Sequence, residues 1–150
     1  MTRIFGLIPA AGSGTRMGLR VPKQYQRLGD KSMLEHAVDA LLSSKSVDGV
    51  VVVVSGTDAE HKSIASRERV VYAAVGGATR AESVFNGLKA LNVMLGAVGD
   101  DWVLVHDAAR PCLAQRELAV LIDSLKNEDV GGLLATRLTD TLKRDHSSGG

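Results

Sequence analysis

The chain has 150 residues, of which 45% are hydrophobic and 23% charged, and its formal net charge is +1. These values are typical of one water-soluble globular domain, and the near-neutral charge argues against a protein that coats nucleic acid or an anionic membrane. The lone cysteine, Cys112, excludes an intramolecular disulfide. Because no targeting segment is evident, we expect a cytoplasmic protein that has neither nucleic acid nor a membrane as a partner.

Short apolar runs alternate with stretches of helical periodicity along the chain. Buried strands are predicted at residues 4–8, 49–54, 70–75, 102–106 and 131–135. Capping boxes that open helices are predicted at Ser32 with Glu35 and at Thr79 with Glu82. The apolar stripe over residues 118–125 predicts a third helix. This alternation is typical of an α/β domain with a largely parallel sheet.

The last stretch of the sequence departs from this alternation. After residue 135 the chain is polar and basic, and it ends in Ser147-Ser148-Gly149-Gly150. We therefore assign residues 1–135 to a nucleotide-binding α/β domain and residues 136–150 to the incomplete start of a further segment. The expected fold is thus one truncated at its C-terminus, within a longer chain.

A glycine-rich segment, Pro9 to Gly18, follows the first predicted strand. Gly12 and Gly14 allow backbone angles that point successive N–H groups at a phosphate, although a tight turn would need the same glycines. Met17 stands where a dinucleotide-binding fingerprint needs its third glycine, and the Gly-Lys-Ser/Thr of a Walker loop is absent. The loop therefore predicts a phosphate site that is neither a dinucleotide-binding fingerprint nor a Walker loop.

Three cations, Arg16, Arg20 and Lys23, lie in or just after this loop. Pro22 fixes the backbone directly before Lys23, which limits how far that side chain can move. Cations on a loop are usually just solvated. Beside a glycine nest at the end of a strand, however, they are suited to binding a triphosphate.

Glycines and polar residues also follow the predicted strand at 70–75. Gly76 and Gly77 leave room for a flat ring, and Arg80 or Ser83 could face that ring at the start of a helix. The alternative is that Arg80 and Glu82 form only an exposed helix start. Thr79 and Glu82, as a capping box, need no functional role.

Asp107 follows the predicted strand at 102–106, where a carboxylate could hold Mg²⁺ together with phosphate oxygens and water. Its alternative role is to cap a turn or helix. We expect His106 to be packed and non-catalytic, and no spaced set of cysteine and histidine residues supports zinc. In an open α/β sheet the carboxyl ends of the strands share one crevice, so the three segments predict one nucleotide site.

Together these segments closely resemble the 2-C-methyl-D-erythritol 4-phosphate cytidylyltransferase family of the isoprenoid pathway, over nearly the whole chain. The landmarks are Pro9-Ala10-Ala11-Gly12-x-Gly14-x-Arg16-Met17, Pro22-Lys23-Gln24-Tyr25, Gly76-Gly77 with Arg80 and Ser83, and Val103-Leu104-Val105-His106-Asp107-Ala108-Ala109-Arg110-Pro111. The first is shared with sugar-phosphate nucleotidyltransferases, whereas the last two are more specific to the family.

The resemblance implies a Rossmann-like three-layer nucleotidyltransferase domain and a homodimer built partly by an arm that begins near Arg137. It implies that Arg16 and Lys23 are catalytic, that Asp107 binds Mg²⁺, and that Thr141 approaches the acceptor phosphate. The nucleotide pocket it implies is lined by Pro9, Ala10, Ala11, Gly12, Gly14, Gly77, Arg80, Ser83, Asp107 and Ala108. Two departures are that Ala78 stands where the family often has an acidic residue, and that family members continue beyond this end.

The implied reaction transfers CMP from CTP to 2-C-methyl-D-erythritol 4-phosphate and releases pyrophosphate. The phosphate oxygen of this small phosphorylated polyol would attack the α-phosphorus of CTP, so no protein nucleophile is required. One alternative is another nucleotidyltransferase of the same fold acting on a sugar phosphate. Another is a nucleotide-binding module without turnover. An oxidoreductase is disfavoured because Met17 replaces the expected glycine.

Overall fold

The computed structural model describes residues 2–12 and 21–137, together with Thr139 and Thr141. Its strands are β1 Ile4–Pro9, β2 Arg27–Leu28, β3 Lys31–Ser32, β4 Gly49–Val53, β5 Val70–Ala73 and β6 Trp102–Val105. Its helices are α1 Met33–Leu42, α2 Arg80–Leu95 and α3 Gln115–Leu125. Two short 3₁₀ turns lie at Lys23–Tyr25 and Glu60–Ser63.

The main sheet has the strand order β5-β4-β1-β6, and all three pairings are parallel. In the centre of this sheet, Leu7 of β1 lies opposite Val51 of β4 on one side and Val105 of β6 on the other. A short antiparallel pair, β2 with β3, stands apart from it. The predicted parallel sheet is therefore confirmed, and four of its five predicted strands end within two residues of their predicted limits.

No strand forms at residues 131–135, so this prediction is wrong. This segment follows α3 as irregular chain, and Leu133 is 78% exposed and Leu134 46%. Gly131 has a φ of 90°, a left-handed angle at which the backbone leaves the extended form that a strand requires. An apolar run forms a buried strand only if other elements cover it, and within the described residues both leucines stay exposed.

Helices cover both faces of the sheet. On one face α1 buries Leu34, Val38 and Leu41 against β1 and β4, and α3 packs beside α1. On the other face α2 buries Leu91 against Leu7 and its neighbours. This arrangement confirms the predicted three-layer fold, in which the sheet is buried between helices as parallel sheets require.

One glycine sets how closely α2 approaches the sheet. A Cβ atom at Gly87 would lie 2.7 Å from Val53 Cγ2 and 2.9 Å from Leu7 Cδ1, well inside van der Waals contact. Close packing of this kind leaves no room for even one added methyl group. Gly87 therefore fixes the distance between α2 and the sheet.

The predicted capping box of α1 is confirmed. Ser32 Oγ accepts a hydrogen bond from Glu35 N at 3.2 Å, and the Glu35 carboxylate accepts from Ser32 N at 2.8 Å. At α2 only half of the predicted box forms. Thr79 Oγ1 accepts from Glu82 N, but the Glu82 carboxylate accepts from Ala78 N, one residue before the cap. No helix in the described part of the chain is both long enough and apolar enough to cross a membrane.

Candidate nucleotide site

A cavity of about 630 Å³ opens at the carboxyl end of the sheet. Its walls come from the segments that follow β1, β5 and β6, the three segments that the sequence predicts to converge. It is lined by Pro9, Ala10, Ala11, Gly12, Lys23, Gln24, Gly77, Ala78, Thr79, Arg80, Ser83, Asp107, Ala108, Ala109 and Arg110. The structure thus brings together every described residue that the sequence assigns to the nucleotide pocket, and Lys23 with them. Gly14 and Arg16 lie outside the described residues.

The floor of the cavity is the loop that follows β1. Ala10 N donates to Val53 O at 2.8 Å, which continues the pairing of β1 with β4 by one residue. The buried Gln24 side chain then donates to both Ala10 O at 2.8 Å and Gly12 O at 3.0 Å. The buried amide fixes the position of the loop, because leaving the buried Ala10 carbonyl unpaired would cost about 1–3 kcal/mol.

The sequence does not predict Gln24 as a site residue. Its only signal is its place between Lys23 and Tyr25 in a family landmark, and polar residues at such places are usually solvated. Its burial arises only when the Lys23–Tyr25 turn folds back over the loop that follows β1.

One wall of the cavity contains Gly77 and Ser83, and Gly76 directly precedes Gly77 in the chain without lining the cavity. These three residues are here called the glycine wall. A Cβ atom at Gly76 would lie 2.3 Å from the Ala11 Cβ and 2.9 Å from Val54 O, so only glycine allows the turn to approach the loop that follows β1. Ser83 is buried, accepts from Gly77 N at 3.1 Å and donates to Thr79 O at 3.0 Å. Ser83 therefore holds the turn to the first turn of α2.

A second part of the cavity lining, here called the charged wall, consists of Arg80, Asp107 and Arg110. Asp107 Oδ1 accepts from Arg80 Nη2 at 2.8 Å and from Arg80 Nε at 3.0 Å, while Asp107 Oδ2 lies 3.1 Å from Arg110 Nε. The two arginine side chains are 60% and 78% exposed, so water screens these pairs. Among the described residues, the Asp107 carboxylate pairs with guanidinium groups. Asp107 also begins a turn, as its alternative role predicts, because its carbonyl oxygen accepts from Arg110 N at 3.1 Å.

Lys23 adds a third cation to the cavity. It is the first residue of its 3₁₀ turn, follows Pro22 at a φ of −55°, and has an exposed side chain. The described lining thus carries three cations and only one carboxylate. Because these side chains share one concave space, they favour a ligand with several negative charges.

His106 lies beside this site as a packed residue, as expected. Its Nε2 lies 3.0 Å from Arg110 O, and because a carbonyl only accepts, the ring nitrogen donates. Burial lowers the pKa of His106 below its ordinary value, against the opposing effects of that hydrogen bond and the Asp107 charge. The ring is therefore neutral near pH 7 and supports the turn that carries Arg110.

The donor set of the cavity fits a phosphate-bound Mg²⁺ ion and no preformed metal cage. The described residues contain no group of three or more histidine, cysteine, aspartate or glutamate side chains that could hold an ion. Asp107 supplies one carboxylate, and Mg²⁺ commonly uses one or two carboxylates with phosphate oxygens and water. The described residues therefore fit Mg²⁺ if phosphate oxygens and water supply its other ligands.

Thr141 is exposed and is not among the residues that line the cavity. Its neighbours at 140 and 142–150 lie outside the described residues, as does most of the segment predicted to start an arm at 136. The acceptor contact at Thr141 and the division of the chain at residue 135 therefore stay predictions.

The sheet order, the helices on both faces and the phosphate-suited cavity at the carboxyl edge place the chain among the α/β nucleotidyltransferases. A crystal structure described as 4-diphosphocytidyl-2C-methyl-D-erythritol synthase superposes with a TM-score of 0.82 at 38% identity, covering 98% of this chain and 65% of that one. The 2-C-methyl-D-erythritol 4-phosphate cytidylyltransferase of Francisella tularensis superposes with a TM-score of 0.76 at 30% identity, covering 99% and 64%.

The sequence profile of the 2-C-methyl-D-erythritol 4-phosphate cytidylyltransferase family matches residues 4–149, and the chain belongs to this family. A relative of that name from Nitrosospira multiformis is 50% identical over 147 residues, which are 96% of this chain and 63% of the relative. The chain thus spans just under two thirds of the length of the curated relatives it matches.

Proposed function

We propose that this protein transfers CMP from CTP to 2-C-methyl-D-erythritol 4-phosphate and releases pyrophosphate, as a step in isoprenoid precursor synthesis. The observation that carries the proposal is the single cavity in which the loop that follows β1, Lys23, the glycine wall and the charged wall meet. Its size suits a nucleotide, and its cations suit a triphosphate. The names of the matching family and relatives support the particular nucleotide and acceptor.

The chemistry requires two anions to approach each other. An oxygen of the acceptor phosphate attacks the α-phosphorus of CTP, the new phosphorus–oxygen bond forms, and the bond to the departing pyrophosphate breaks. No protein atom is covalently involved, so the protein acts by positioning the reactants and stabilising their charge. Lys23 is placed to hold phosphate oxygens, and Arg16 has the same role by family resemblance.

The glycine wall would receive the base and ribose. The backbone of Gly76 and Gly77 leaves a flat surface there, and Ser83 keeps that surface in place through its bonds to Gly77 N and Thr79 O. Ala78, where the family often has an acidic residue, offers only its backbone to the base. The N–H groups of Gly76, Gly77 and Ala78 already donate within the protein, so recognition of cytosine at this turn would rely on main-chain carbonyls that accept from the base.

Mg²⁺ is the proposed cofactor, and Asp107 would hold it. The ion would supply positive charge that neutralises phosphate oxygens. Arg80 and Arg110 pair with Asp107 in the structure. When a triphosphate enters, these exposed guanidinium groups can exchange a carboxylate partner for a phosphate partner at small cost, because exposed ion pairs contribute only about 0–1 kcal/mol. The charged wall would thus release Asp107 for the metal.

We also propose that the protein acts as a cytoplasmic homodimer, with an arm near Arg137 that contributes Thr141 to the acceptor site. The exposed apolar side chains of Val130 and Leu133, just before that arm, support an interface there. Light scattering after size-exclusion chromatography measures the subunit number. A monomer at micromolar concentration would contradict the dimer without affecting the proposed reaction.

The decisive experiment measures pyrophosphate release from CTP, UTP, GTP and ATP, each with a panel of phosphorylated alcohols and sugar phosphates. Calorimetry with each nucleotide and Mg²⁺ runs beside it. We expect release only with CTP and 2-C-methyl-D-erythritol 4-phosphate. Release with a sugar phosphate would instead identify another nucleotidyltransferase, and tight CTP binding without release would identify a binding module.

A further inference from the structure

Three polar side chains lie together behind the Lys23–Tyr25 turn, outside the cavity. Tyr25 Oη donates to Asp58 Oδ2 at 2.6 Å, and Asp58 Oδ1 accepts from the backbone N of His61 at 3.2 Å. The ring Nδ1 of His61 lies 3.3 Å from the same oxygen. The Asp58 side chain is only 8% exposed. These three residues are here called the tyrosine cluster, and none of them lines the nucleotide cavity.

The hydrogen bond between Tyr25 and Asp58 joins a neutral donor to a charged acceptor. Burial, followed by the hydrogen bond and charge of Asp58, raises the pKa of Tyr25 far above its ordinary value, so the hydroxyl keeps its proton. Burial alone would raise the pKa of Asp58, but the hydrogen bonds from Tyr25 and His61 outweigh it and lower that pKa. Charge-assisted hydrogen bonds are shorter and roughly twice as strong as neutral ones.

The cluster joins the turn to the edge strand β5. The His61 ring stacks on Tyr72 of β5, with 5.4 Å between the ring centroids. Asp58 and His61 belong to the connection between β4 and β5, whereas the Tyr25 ring is buried in the core beside α1. A three-residue turn has little stability of its own. Its position therefore depends on what its side chains bind.

Two neighbouring side chains hold this turn from opposite sides. Gln24 bonds to the loop that follows β1, and Tyr25 bonds to Asp58. Lys23 begins the same turn and points its exposed side chain towards the cavity. We propose that Tyr25 and Asp58 are positioning residues that fix the Lys23 ammonium for the transition state. This inference rests on the proposed function for its effect on rate, but its effect on the turn can be measured separately.

The test compares Tyr25→Phe with Tyr72→Phe in the purified protein. Tyr25→Phe keeps the buried ring and removes only the hydroxyl that Asp58 accepts from. Tyr72→Phe is the matched control, because its ring can still stack on His61 and its hydroxyl makes no bond to Asp58. Asp58→Asn adds a graded variant, since an amide oxygen can still accept from Tyr25 but carries no charge.

The first measurement is hydrogen exchange of the Tyr25 and Gln26 amides without ligand. These amides donate within the turn, to Pro22 O at 2.9 Å and Lys23 O at 3.1 Å. In Tyr25→Phe we expect exchange about 10-fold faster at these two amides, with the α1 amides unchanged, because local opening is measured apart from global unfolding. Unchanged exchange at the turn would overturn the inference whether or not the protein is an enzyme.

The second measurement is steady-state kinetics with CTP. We expect Tyr25→Phe to lower kcat about 10-fold and to change KM by less than about 3-fold. The kcat of Asp58→Asn should lie between those of Tyr25→Phe and the unmodified protein. Tyr72→Phe should have the kinetics of the unmodified protein. A change in KM alone, or equal losses in both Tyr→Phe variants, would overturn the positioning role. If the unmodified protein releases no pyrophosphate, the proposed function fails and hydrogen exchange alone decides the cluster.

Discussion

The two walls of the cavity are built in different ways. The glycine wall is held by hydrogen bonds to main-chain atoms and by a buried side chain, Ser83, so its shape is fixed before any ligand arrives. The charged wall is held by ion pairs between exposed arginines and Asp107, and such pairs exchange partners easily. The difference indicates that one wall selects the ligand by shape while the other supplies charge that can be redirected.

Lys23→Ala should have the largest effect. Arg80 and Arg110 already pair with Asp107, whereas Lys23 is the lining cation proposed to hold the phosphate oxygens directly. By analogy with removing one preorganised charge-stabilising group, we expect kcat to fall by about 10²–10³-fold, with KM for CTP changed much less. Lys45→Ala, at another exposed lysine remote from the cavity, is the control. A change confined to KM would show that Lys23 only binds substrate.

Asp107→Asn tests the charged wall. The amide oxygen can still ligate a metal, but it lacks the charge that attracts Mg²⁺ and both arginines. We expect the Mg²⁺ concentration for half-maximal activity to rise by about 10-fold. Asp123→Asn, which breaks an exposed ion pair with Lys126 on α3, is the control. An unchanged Mg²⁺ titration would leave Asp107 as a partner of the arginines only.

Gly76→Ala tests the glycine wall. The added methyl group would meet the Ala11 Cβ and Val54 O, neither of which can move without the backbone. We expect a loss of about 1–3 kcal/mol in the free energy of unfolding and weaker CTP binding by calorimetry. At Gly99 a Cβ atom meets nothing within 4 Å, so Gly99→Ala is the matched control. Equal stability of the two variants would mean that the wall is not fixed in shape.

The smallest expected effect is that of His106, which bonds to the carbonyl of Arg110, on the pH dependence of stability. Burial lowers the pKa of His106 in the folded protein below the ordinary 6.5, so the unfolded chain binds the proton more readily. The stability contribution is thus fully present above pH 6.5 and decreases as the pH falls from there through the folded pKa.

Because Gln can still donate to the Arg110 carbonyl, His106→Gln should reduce the fall in melting temperature between pH 7 and about pH 5. His36→Gln replaces another histidine that bonds to a backbone carbonyl and serves as the control. If both variants keep the full pH dependence of the unmodified protein, His106 is not its source.

The features that the sequence predicted correctly depend either on local chemistry or on the topology of a parallel sheet. The α1 capping box needs only Ser32 and Glu35, and it forms as predicted. The convergence of the loops that follow β1, β5 and β6 follows from parallel topology alone. The strand predicted at 131–135 does not form. An apolar run alone does not predict a buried strand, because burial also requires another element that covers the run.

The missed residues depend on contacts between distant parts of the chain. Gln24 is polar and yet buried because it reaches back to Ala10, and Tyr25 meets Asp58 across 33 positions of sequence. No spacing within one segment marks such pairs. The pairing of Asp107 with Arg80 escaped prediction for the same reason, since the two residues lie 27 positions apart.

The position of β1 in the middle of the sheet affects how the protein emerges from the ribosome. Phe5 pairs with Gly49 on one side and with Val103 on the other, so the first strand to be synthesised is also one of the last to be fully paired. At about 5–20 residues per second, the edge of β1 that β6 later covers stays open for roughly 3 to 10 s after β4 is made. Over that interval the nascent chain presents a row of unpaired backbone N–H and C=O groups along β1, an edge at which another chain could pair.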